Sequence, residues 1–196
     1  MIILGITGGV GSGKSKVLYD LKENFGAYII EADKLAHELM QPGMTIYNGI
    51  INEFGKEILD DEGFINRKKL GAIVFNDKEK LNLLNSISHP LVKEEILNQI
   101  NEKRDKVDLF VIEAALLVED GYNNICDEIW YIYVNKIERT RRLKLQRNYT
   151  DEQCEAMYNS QQSDEYYKAN TNYLIDNSNS YEDTTKQIKA RLNIIM

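Results

Sequence analysis

The feature that most constrains this chain is a glycine-rich stretch that directly follows its first apolar run. Ile2 to Thr7 (IILGIT) is an apolar run with the length and composition of a buried strand. Gly8 to Ser15 (GGVGSGKS) fits the pattern G-x-x-x-x-G-K-[ST] in full. A helix is expected from Lys14, because apolar residues recur on one face after it. A strand, this loop and a helix in that order predict a phosphate-binding element.

Each part of the glycine-rich stretch meets a physical requirement of phosphate binding. Backbone N–H groups have to converge on phosphate oxygens, so the loop needs unusual dihedral angles and no obstructing side chains. Lys14 supplies a cation for the β- and γ-phosphates, and Ser15 supplies a hydroxyl for Mg²⁺. The stretch therefore predicts a nucleoside triphosphate site rather than a flexible turn. The residues predicted to bind the nucleotide here are Gly9, Gly11, Ser12, Gly13, Lys14, Ser15 and Lys16.

Four further apolar segments determine the expected fold class. Each is short and rich in β-branched or aromatic residues, and predicted helices separate it from the next. This pattern favours a parallel sheet with helices on both faces. We predict an α/β protein of the P-loop NTPase fold with a five-stranded parallel sheet. The predicted strands are residues 2–7, 27–31, 109–117, 128–134 and 172–176.

Two helical segments are predicted to interrupt the sheet. Residues 36–104 contain no convincing strand, and apolar residues at helical spacing predict helices that meet near His89 and Pro90. Residues 136–168 are polar, with helical character and a basic first half. We predict one α/β domain with two helical accessory subdomains, at 36–104 and at 136–168. Its core comprises residues 1–35, 105–135 and 169–196.

Charge and composition make several classes of partner less favourable. The 196 residues carry a net charge of −7, which disfavours nucleic acid and anionic membrane partners. Cys126 and Cys154 have no metal-like spacing and suit a reducing compartment. No segment resembles a signal peptide or reaches the roughly 20 apolar residues of a membrane span. We therefore expect a cytoplasmic protein that acts on a small molecule, either as a monomer or as a small homo-oligomer.

Asp33 is the first candidate for the chemistry beyond the glycine loop. It follows the second predicted strand, near the end of the sheet where open α/β folds bind ligands. Its carboxylate would accept a proton from an attacking hydroxyl or position that hydroxyl near Mg²⁺. The alternative is a plain helix N-cap, and one carboxylate can serve both roles. Glu31, two residues earlier, is a weaker candidate.

Glu113 is the second candidate, because it lies inside the apolar segment LFVIEAALL. A charge at a buried strand position is costly unless it has a partner. An acidic residue on such a strand of a P-loop protein often holds Mg²⁺, directly or through water. The alternative is a residue at the frayed end of the strand.

A basic helix is the third candidate. Lys136 to Arg147 holds six basic residues and one acidic residue, and Arg139, Arg142 and Gln146 share a face at helical spacing. A mobile basic helix that closes over a triphosphate would neutralise the charge that develops in the transition state. The alternative is a solvated basic face.

Two short motifs raise a GTPase alternative. Asn135 to Glu138 resembles the guanine-binding pattern N-K-x-D, and Asp60 to Gly63 fits D-x-x-G. Glu138, however, replaces the required Asp, and Asp60 follows no clear buried strand. Because four-residue patterns often occur by chance, we favour a kinase over a GTPase.

The ordered set of motifs resembles the dephospho-CoA kinase family across nearly the full length. The glycine loop GITGGVGSGKS is similar to the family's GLTGGIGSGKS. The other matches are Glu31-Ala32-Asp33 with Ala36-His37, His89-Pro90, Ala115 to Glu119, Arg142-Leu143, Ser160-Gln161 and Asn172 to Asn177.

This resemblance implies one P-loop kinase domain, with a helical substrate-binding insertion at 36–104 and a lid at 136–168. It also implies transfer of the ATP γ-phosphate to the ribose 3′-hydroxyl of dephospho-CoA, the last step of coenzyme A synthesis, with Mg²⁺ as cofactor. It implies that Asp33 is the base or the group that positions the acceptor hydroxyl. It also implies that Lys14 and Arg142 are catalytic and that Arg142 binds ATP as well. Ser15 and Glu113 would hold the metal. Without the resemblance, the sequence favours a structural role for both histidines, His37 and His89. The resemblance places Thr7, Asp33, His37, His89 and Leu116 at the acceptor.

The chain also departs from the family pattern, mainly in the lid. Gln146 occupies a position at which the family usually has Arg, although Arg147 is adjacent. Met157 occupies a position at which the family often has an Arg before the Ser-Gln pair. Lys16 occupies a position that is often Thr. Two alternatives therefore stay open: a kinase for another nucleoside or small-molecule hydroxyl, and a nucleotide-binding regulatory protein with weak turnover.

Overall fold

A five-stranded sheet lies at the centre of the computed structural model, which describes all 196 residues. The strand order is β2-β3-β1-β4-β5, and β1 pairs in parallel with β3 and β4. The predicted α/β fold with five parallel strands is confirmed. The strands are β1 (Ile2–Thr7), β2 (Tyr28–Glu31), β3 (Leu109–Glu113), β4 (Glu128–Tyr133) and β5 (Tyr173–Asp176).

The third strand is shorter than its apolar segment predicts. Residues 109–117 form a continuous apolar pattern, yet β3 ends at Glu113 and the chain turns away from the sheet. Leu117 is still fully buried after the turn, so its apolar character reflects the core rather than a strand. An apolar run alone does not distinguish these two situations.

The central position of β1 agrees with the burial of its last four residues. Leu4 and Ile6 have no exposed surface, and the strand has neighbours on both edges. Burial of side chains of this size stabilises the fold by about 1.5–3 kcal/mol each. The register aligns Ile6 with Glu113 of β3 and with Trp130 of β4. The carboxyl end of β1, which leads into the glycine loop, therefore lies beside the carboxyl end of β3.

Nine helices accompany the sheet. Side-chain caps begin several of them, including Asn66 before α4, Asn135 before α6 and a capping box at Thr150 before α7. The helices are α1 (Lys14–Phe25), α2 (Ala32–Leu39), α3 (Thr45–Phe54), α4 (Arg67–Val74), α5 (Lys78–Lys103), α6 (Lys136–Arg147), α7 (Asp151–Asn159), α8 (Asp164–Asn170) and α9 (Tyr181–Ile195). None of them combines the length and the hydropathy that crossing a membrane requires.

The expected junction between two helices at His89 and Pro90 is wrong, because α5 continues through both residues. Pro90 lacks a backbone N–H and removes one helical hydrogen bond. The apolar residues nevertheless stay in phase across it, and Val92, Ile96 and Ile100 are buried. Packing of this stripe accounts for a continuous helix where the local signal predicts a break.

The chain divides into two compact units. The first, which we call the sheet unit, comprises Met1–Ile29 and Lys103–Met196. The second, the helical unit, comprises Ile30–Glu102 and contains α2 to α5. The predicted lid resolves into α6, α7 and α8 and belongs to the sheet unit.

Candidate active site

The glycine loop joins β1 to α1 in a conformation that only glycine adopts without strain. Gly11 and Gly13 have φ angles of 84° and 90°, in the left-handed region. A side chain at Gly13 would also collide with the amide of Asn177. The loop therefore has two independent reasons for its glycines, namely the backbone conformation and the close approach of neighbours.

Lys14 connects the loop to the end of β3. Its Nζ donates a hydrogen bond to the Gly8 carbonyl at 2.7 Å and lies 3.6 Å from Glu113 Oε1. The Glu113 side chain is only 13% exposed, and its strand position is paired with β1. This carboxylate is thus held beside the loop, at the last residue of β3, and its negative charge is balanced by Lys14.

Three hydroxyl side chains lie in or next to the loop, on Thr7 before it, on Ser12 within it and on Ser15 after it. Ser15 is exposed on the first turn of α1. The hydroxyls of Thr7 and Ser12 are buried without a hydrogen-bond partner. A buried polar group without a partner costs free energy, and a ligand that bonds to it recovers that cost. These hydroxyls identify the end of β1 and the loop interior as places where a polar ligand gains hydrogen bonds.

Two arginines of α6 reach back to the loop. Arg139 Nε donates to the Val10 carbonyl at 2.8 Å. Arg142 donates to the Ser12 carbonyl at 3.4 Å and to the Asn177 carbonyl at 2.7 Å. The Arg142 side chain is only 15% exposed. These two side chains face the loop rather than solvent, although much of the rest of the helix is exposed.

Glu138 orients the arginines of α6. Its carboxylate accepts hydrogen bonds from Arg141 at 2.7 Å and from Arg142 at 2.9 Å. The hydrogen bond from Arg141, together with the one from Arg142, lowers the pKa of Glu138 to about 2. The carboxylate is therefore ionised throughout the physiological pH range. Arg142 is held from one side by Glu138 and from the other by backbone carbonyls near the loop.

Sequence reasoning named no site role for two further side chains that hold the loop. Gln161 Oε1 accepts hydrogen bonds from the Val10 N–H at 3.3 Å and from Arg139. Asn177 Nδ2 donates to the Ser12 carbonyl at 2.7 Å. Both residues occur in motifs that resemble the kinase family, and that resemblance is the only signal that points to them. Their contacts span more than 150 residues, so no local pattern predicts the bonds.

A cavity of about 540 Å³ lies over the loop within the sheet unit. Its size is typical of sites for small molecules. The Lys16 ammonium, which lies 3.7 Å from the centre of the Tyr181 ring, forms part of the wall. Gln146 and Arg147 line the cavity as well. The departure from the family pattern at Gln146 therefore lies on the cavity surface, where Arg147 supplies a cation.

Asp33 lies in the helical unit as the second residue of α2, and it is exposed. The alternative that Asp33 is the N-cap of this helix is wrong. Glu31 holds that position, without a side-chain cap bond, and forms an ion pair with Lys34 at 2.6 Å. The helix begins earlier because Ala32 already has helical geometry. Asp33 instead places its charge in the first turn, where the helix dipole favours an anion.

The remaining predicted acceptor residues lie in different places. His37 is exposed one turn after Asp33, and His89 is half-buried within α5. These residues belong to the helical unit. Thr7 ends β1, and Leu116 is 46% exposed in the turn after β3, both in the sheet unit. The nucleotide, metal and lid candidates all belong to the sheet unit, whereas Asp33 and both histidines belong to the helical unit.

Comparisons of sequence and structure find similar proteins over nearly the whole chain. The sequence profile of the dephospho-CoA kinase family matches residues 2–183. A dephospho-CoA kinase of Carboxydothermus hydrogenoformans is 41% identical over 187 residues, which cover 95% of this chain and 90% of the relative. The solved dephospho-CoA kinase of Campylobacter jejuni is 28% identical with a TM-score of 0.72, covering 99% and 98% of the two chains. A Thermus thermophilus protein of known structure is 27% identical with a TM-score of 0.82, covering 100% and 98%.

Proposed function

This chain belongs to the dephospho-CoA kinase family, and from that premise we propose how its residues perform the family's reaction. It is a kinase that phosphorylates the ribose 3′-hydroxyl of dephospho-CoA, the last step of coenzyme A synthesis. The observation that carries the residue assignments is the convergence of Lys14, Arg139 and Arg142 on one glycine loop. Three cations around a loop of backbone N–H groups form a site for a polyphosphate.

We assign ATP to the cavity over the glycine loop. The triphosphate would accept hydrogen bonds from the loop N–H groups, and Lys14 would contact the β- and γ-phosphates. The unpaired Ser12 hydroxyl fits the same ligand. Arg142 would stabilise the charge on the transferring phosphoryl group, since its guanidinium is already held near the loop. The nucleoside would then extend toward the wall that contains Tyr181 and Gln146.

The donor set around the loop fits Mg²⁺. Ser15 offers a hydroxyl on the first turn of α1 and Glu113 offers a carboxylate beside Lys14, and Mg²⁺ prefers oxygen ligands with several waters retained. We propose that Ser15 binds the ion directly and that Glu113 binds it directly or through water. When bound, the ion neutralises charge on the phosphate oxygens.

We propose that Asp33 acts on the acceptor hydroxyl. The 3′-oxygen attacks the γ-phosphorus, a new O–P bond forms, and the bond between the γ-phosphorus and the bridging oxygen of ADP breaks. The hydroxyl proton moves to the Asp33 carboxylate. Exposure of Asp33 on α2 leaves it free to meet the substrate. Thr7, His37, His89 and Leu116 are proposed as further acceptor contacts, and we place the enzyme in the cytoplasm as a monomer or small homo-oligomer.

Acceptor dependence tests this function. Purified protein with ATP and Mg²⁺ is expected to release ADP only when dephospho-CoA is added, as measured by a coupled ADP assay. Omission of Mg²⁺ is the control and is expected to abolish the signal. ATP binding without acceptor-dependent ADP would contradict the proposal and favour the regulatory alternative. ADP release with another alcohol only would favour the alternative of a different kinase.

A further inference from the structure

Arg139 of α6 lies directly against the first half of the glycine loop. Its Nε donates a hydrogen bond to the Val10 carbonyl at 2.8 Å. A side chain added at Gly9 would collide with its guanidinium, and a Cβ added at Gly11 would lie 3.5 Å from Arg139 Cγ. The small size of these two residues therefore gives the arginine room to pack on the loop.

Arg139 differs from the two other arginines near it on α6 in the charge of its partners. Arg141 and Arg142 both donate to the Glu138 carboxylate, which offsets part of their positive charge. Arg139 instead contacts a backbone carbonyl, a side-chain amide and an aromatic ring, and none of these groups carries a negative charge. Its full positive charge is therefore directed at the loop, where an anionic ligand would meet it.

Two side chains of the lid hold the Arg139 guanidinium in place. The Gln161 amide oxygen accepts hydrogen bonds from Arg139 and, at 3.3 Å, from the Val10 N–H, so it joins the guanidinium to the loop. The Tyr158 ring centre lies 4.8 Å from the guanidinium carbon, in a cation–π contact. The Tyr158 hydroxyl also forms a hydrogen bond with the Thr140 hydroxyl at 2.7 Å, which connects α7 with α6 next to Arg139. The orientation of the guanidinium thus depends on Gln161 and Tyr158.

The two ends of the glycine loop correspond to the two ends of the proposed nucleotide. At the end that follows β1, the Lys14 ammonium bonds to the Gly8 carbonyl at 2.7 Å, and we assign this ammonium to the β- and γ-phosphates. At the end that enters α1, the Tyr181 hydroxyl donates to the Lys16 carbonyl at 2.8 Å, and Tyr181 belongs to the proposed nucleoside wall. Arg139 contacts the first of these ends. Its position therefore corresponds to the γ-phosphoryl group, the part of ATP farthest from the nucleoside.

We propose that Arg139 contacts the γ-phosphoryl oxygens of ATP, in the bound state and during transfer, and that Gln161 and Tyr158 position its guanidinium, an inference that rests on the proposed function. Nε and Nη2 of Arg139 bond to protein oxygens, which leaves the two N–H groups of Nη1 for the phosphate. Negative charge develops on the phosphoryl and bridging oxygens as the bond to ADP breaks. A guanidinium that is already oriented stabilises that charge without reorganisation. Arg139 is thus a catalytic residue, and Gln161 and Tyr158 are positioning residues.

Arg139 also brings a cation to a part of the lid that departs from the family pattern. Met157, four residues before Gln161, is uncharged where the family often has an Arg. Arg139 reaches the same Gln161 from α6. This part of the lid therefore keeps an arginine, which favours an active kinase over a nucleotide-binding protein with weak turnover.

Two variants and two matched controls test these roles by steady-state kinetics and by calorimetric titration in the presence of Mg²⁺. Arg139→Gln is expected to lower kcat by at least about 10²-fold and to weaken ATP binding by about fivefold or more. Its ADP affinity is expected to stay within about twofold of the wild type, because ADP lacks the γ-phosphoryl group. Gln161→Ala is expected to lower kcat by about tenfold, and its addition to Arg139→Gln to cause no further loss, because Gln161 acts through Arg139. The controls, expected to stay within about twofold of the wild type, are Lys144→Gln, which removes an exposed cation of the same helix, and Gln162→Ala, at the exposed neighbour of Gln161.

Nucleotide binding separates failure of this proposal from failure of the proposed function. The ATP and ADP titrations contain no acceptor, so they test Arg139 even if the wild-type protein does not phosphorylate dephospho-CoA. A loss of affinity for ATP but not for ADP supports the contact with the γ-phosphoryl group. Equal losses for both nucleotides, or unchanged affinity for ATP, overturn that contact, and a near-normal kcat overturns the catalytic role of Arg139. An additive loss of kcat in the double variant would overturn the positioning role of Gln161.

Discussion

At the residue scale, the charged side chains of the candidate site differ in how firmly neighbouring groups hold them. Lys14 and Glu113 form a pair beside the glycine loop, and Arg142 is bonded on two sides. These side chains have little freedom, which suits groups that bind phosphate in a defined geometry. Asp33, in contrast, is exposed on the first turn of a helix. An exposed carboxylate is accessible to a substrate, as a base for an incoming hydroxyl has to be.

Asp33→Asn is expected to lower kcat by at least about 10²-fold while ATP affinity changes little, because the amide cannot accept the hydroxyl proton. Steady-state kinetics and calorimetric ATP titration measure the two effects. Glu31→Gln is the matched control, since Glu31 is a nearby carboxylate whose observed partner is Lys34. Near-normal turnover of the Asp33 variant would rule out a role as base.

At the element scale, α6 is the helix that connects the predicted lid with the loop. Its second and third arginines, Arg141 and Arg142, differ in their environment although they are adjacent in sequence. Arg142 contacts the Ser12 carbonyl, whereas Arg141 is exposed and bonds to Glu138. This difference provides an internal comparison, because both side chains share the same carboxylate partner.

Arg142→Ala is expected to lower kcat by roughly 10²-fold and to weaken dephospho-CoA binding much less, because we propose that its guanidinium stabilises the transferring phosphoryl group. Arg141→Ala, the control, is expected to stay within about threefold of the wild type. Initial-rate kinetics at saturating ATP, together with dephospho-CoA titration, measure both quantities. A larger effect on acceptor binding than on kcat would move Arg142 to the acceptor site.

The helices and strands also show which features of the fold local sequence predicts and which it does not. The glycine loop and the five strands follow from apolar runs and residue type, so local sequence predicts them. The end of β3 and the continuity of α5 through Pro90 depend on tertiary packing, which overrides the local signal. The contacts of Gln161 and Asn177 with the loop join residues more than 150 positions apart, and a single sequence carries no pattern for such pairs.

At the scale of the whole molecule, the distribution of charge indicates the type of ligand more clearly than the net charge does. The chain carries a net charge of −7, yet the cavity over the loop is lined by cations that include Lys14, Lys16, Arg142 and Arg147. A local positive field within an acidic protein attracts a small polyanion. The cavity that we propose for ATP belongs to the sheet unit, and the proposed base Asp33 belongs to the helical unit.

The position of the transferred phosphate tests the central claim most directly. The protein is incubated with dephospho-CoA, Mg²⁺ and ATP labelled in the γ-phosphate, and the product is analysed by phosphorus NMR and mass spectrometry. We predict that the label appears on the ribose 3′-oxygen, so that the product is coenzyme A. Label that is released as inorganic phosphate, or that appears at another hydroxyl, would contradict the account.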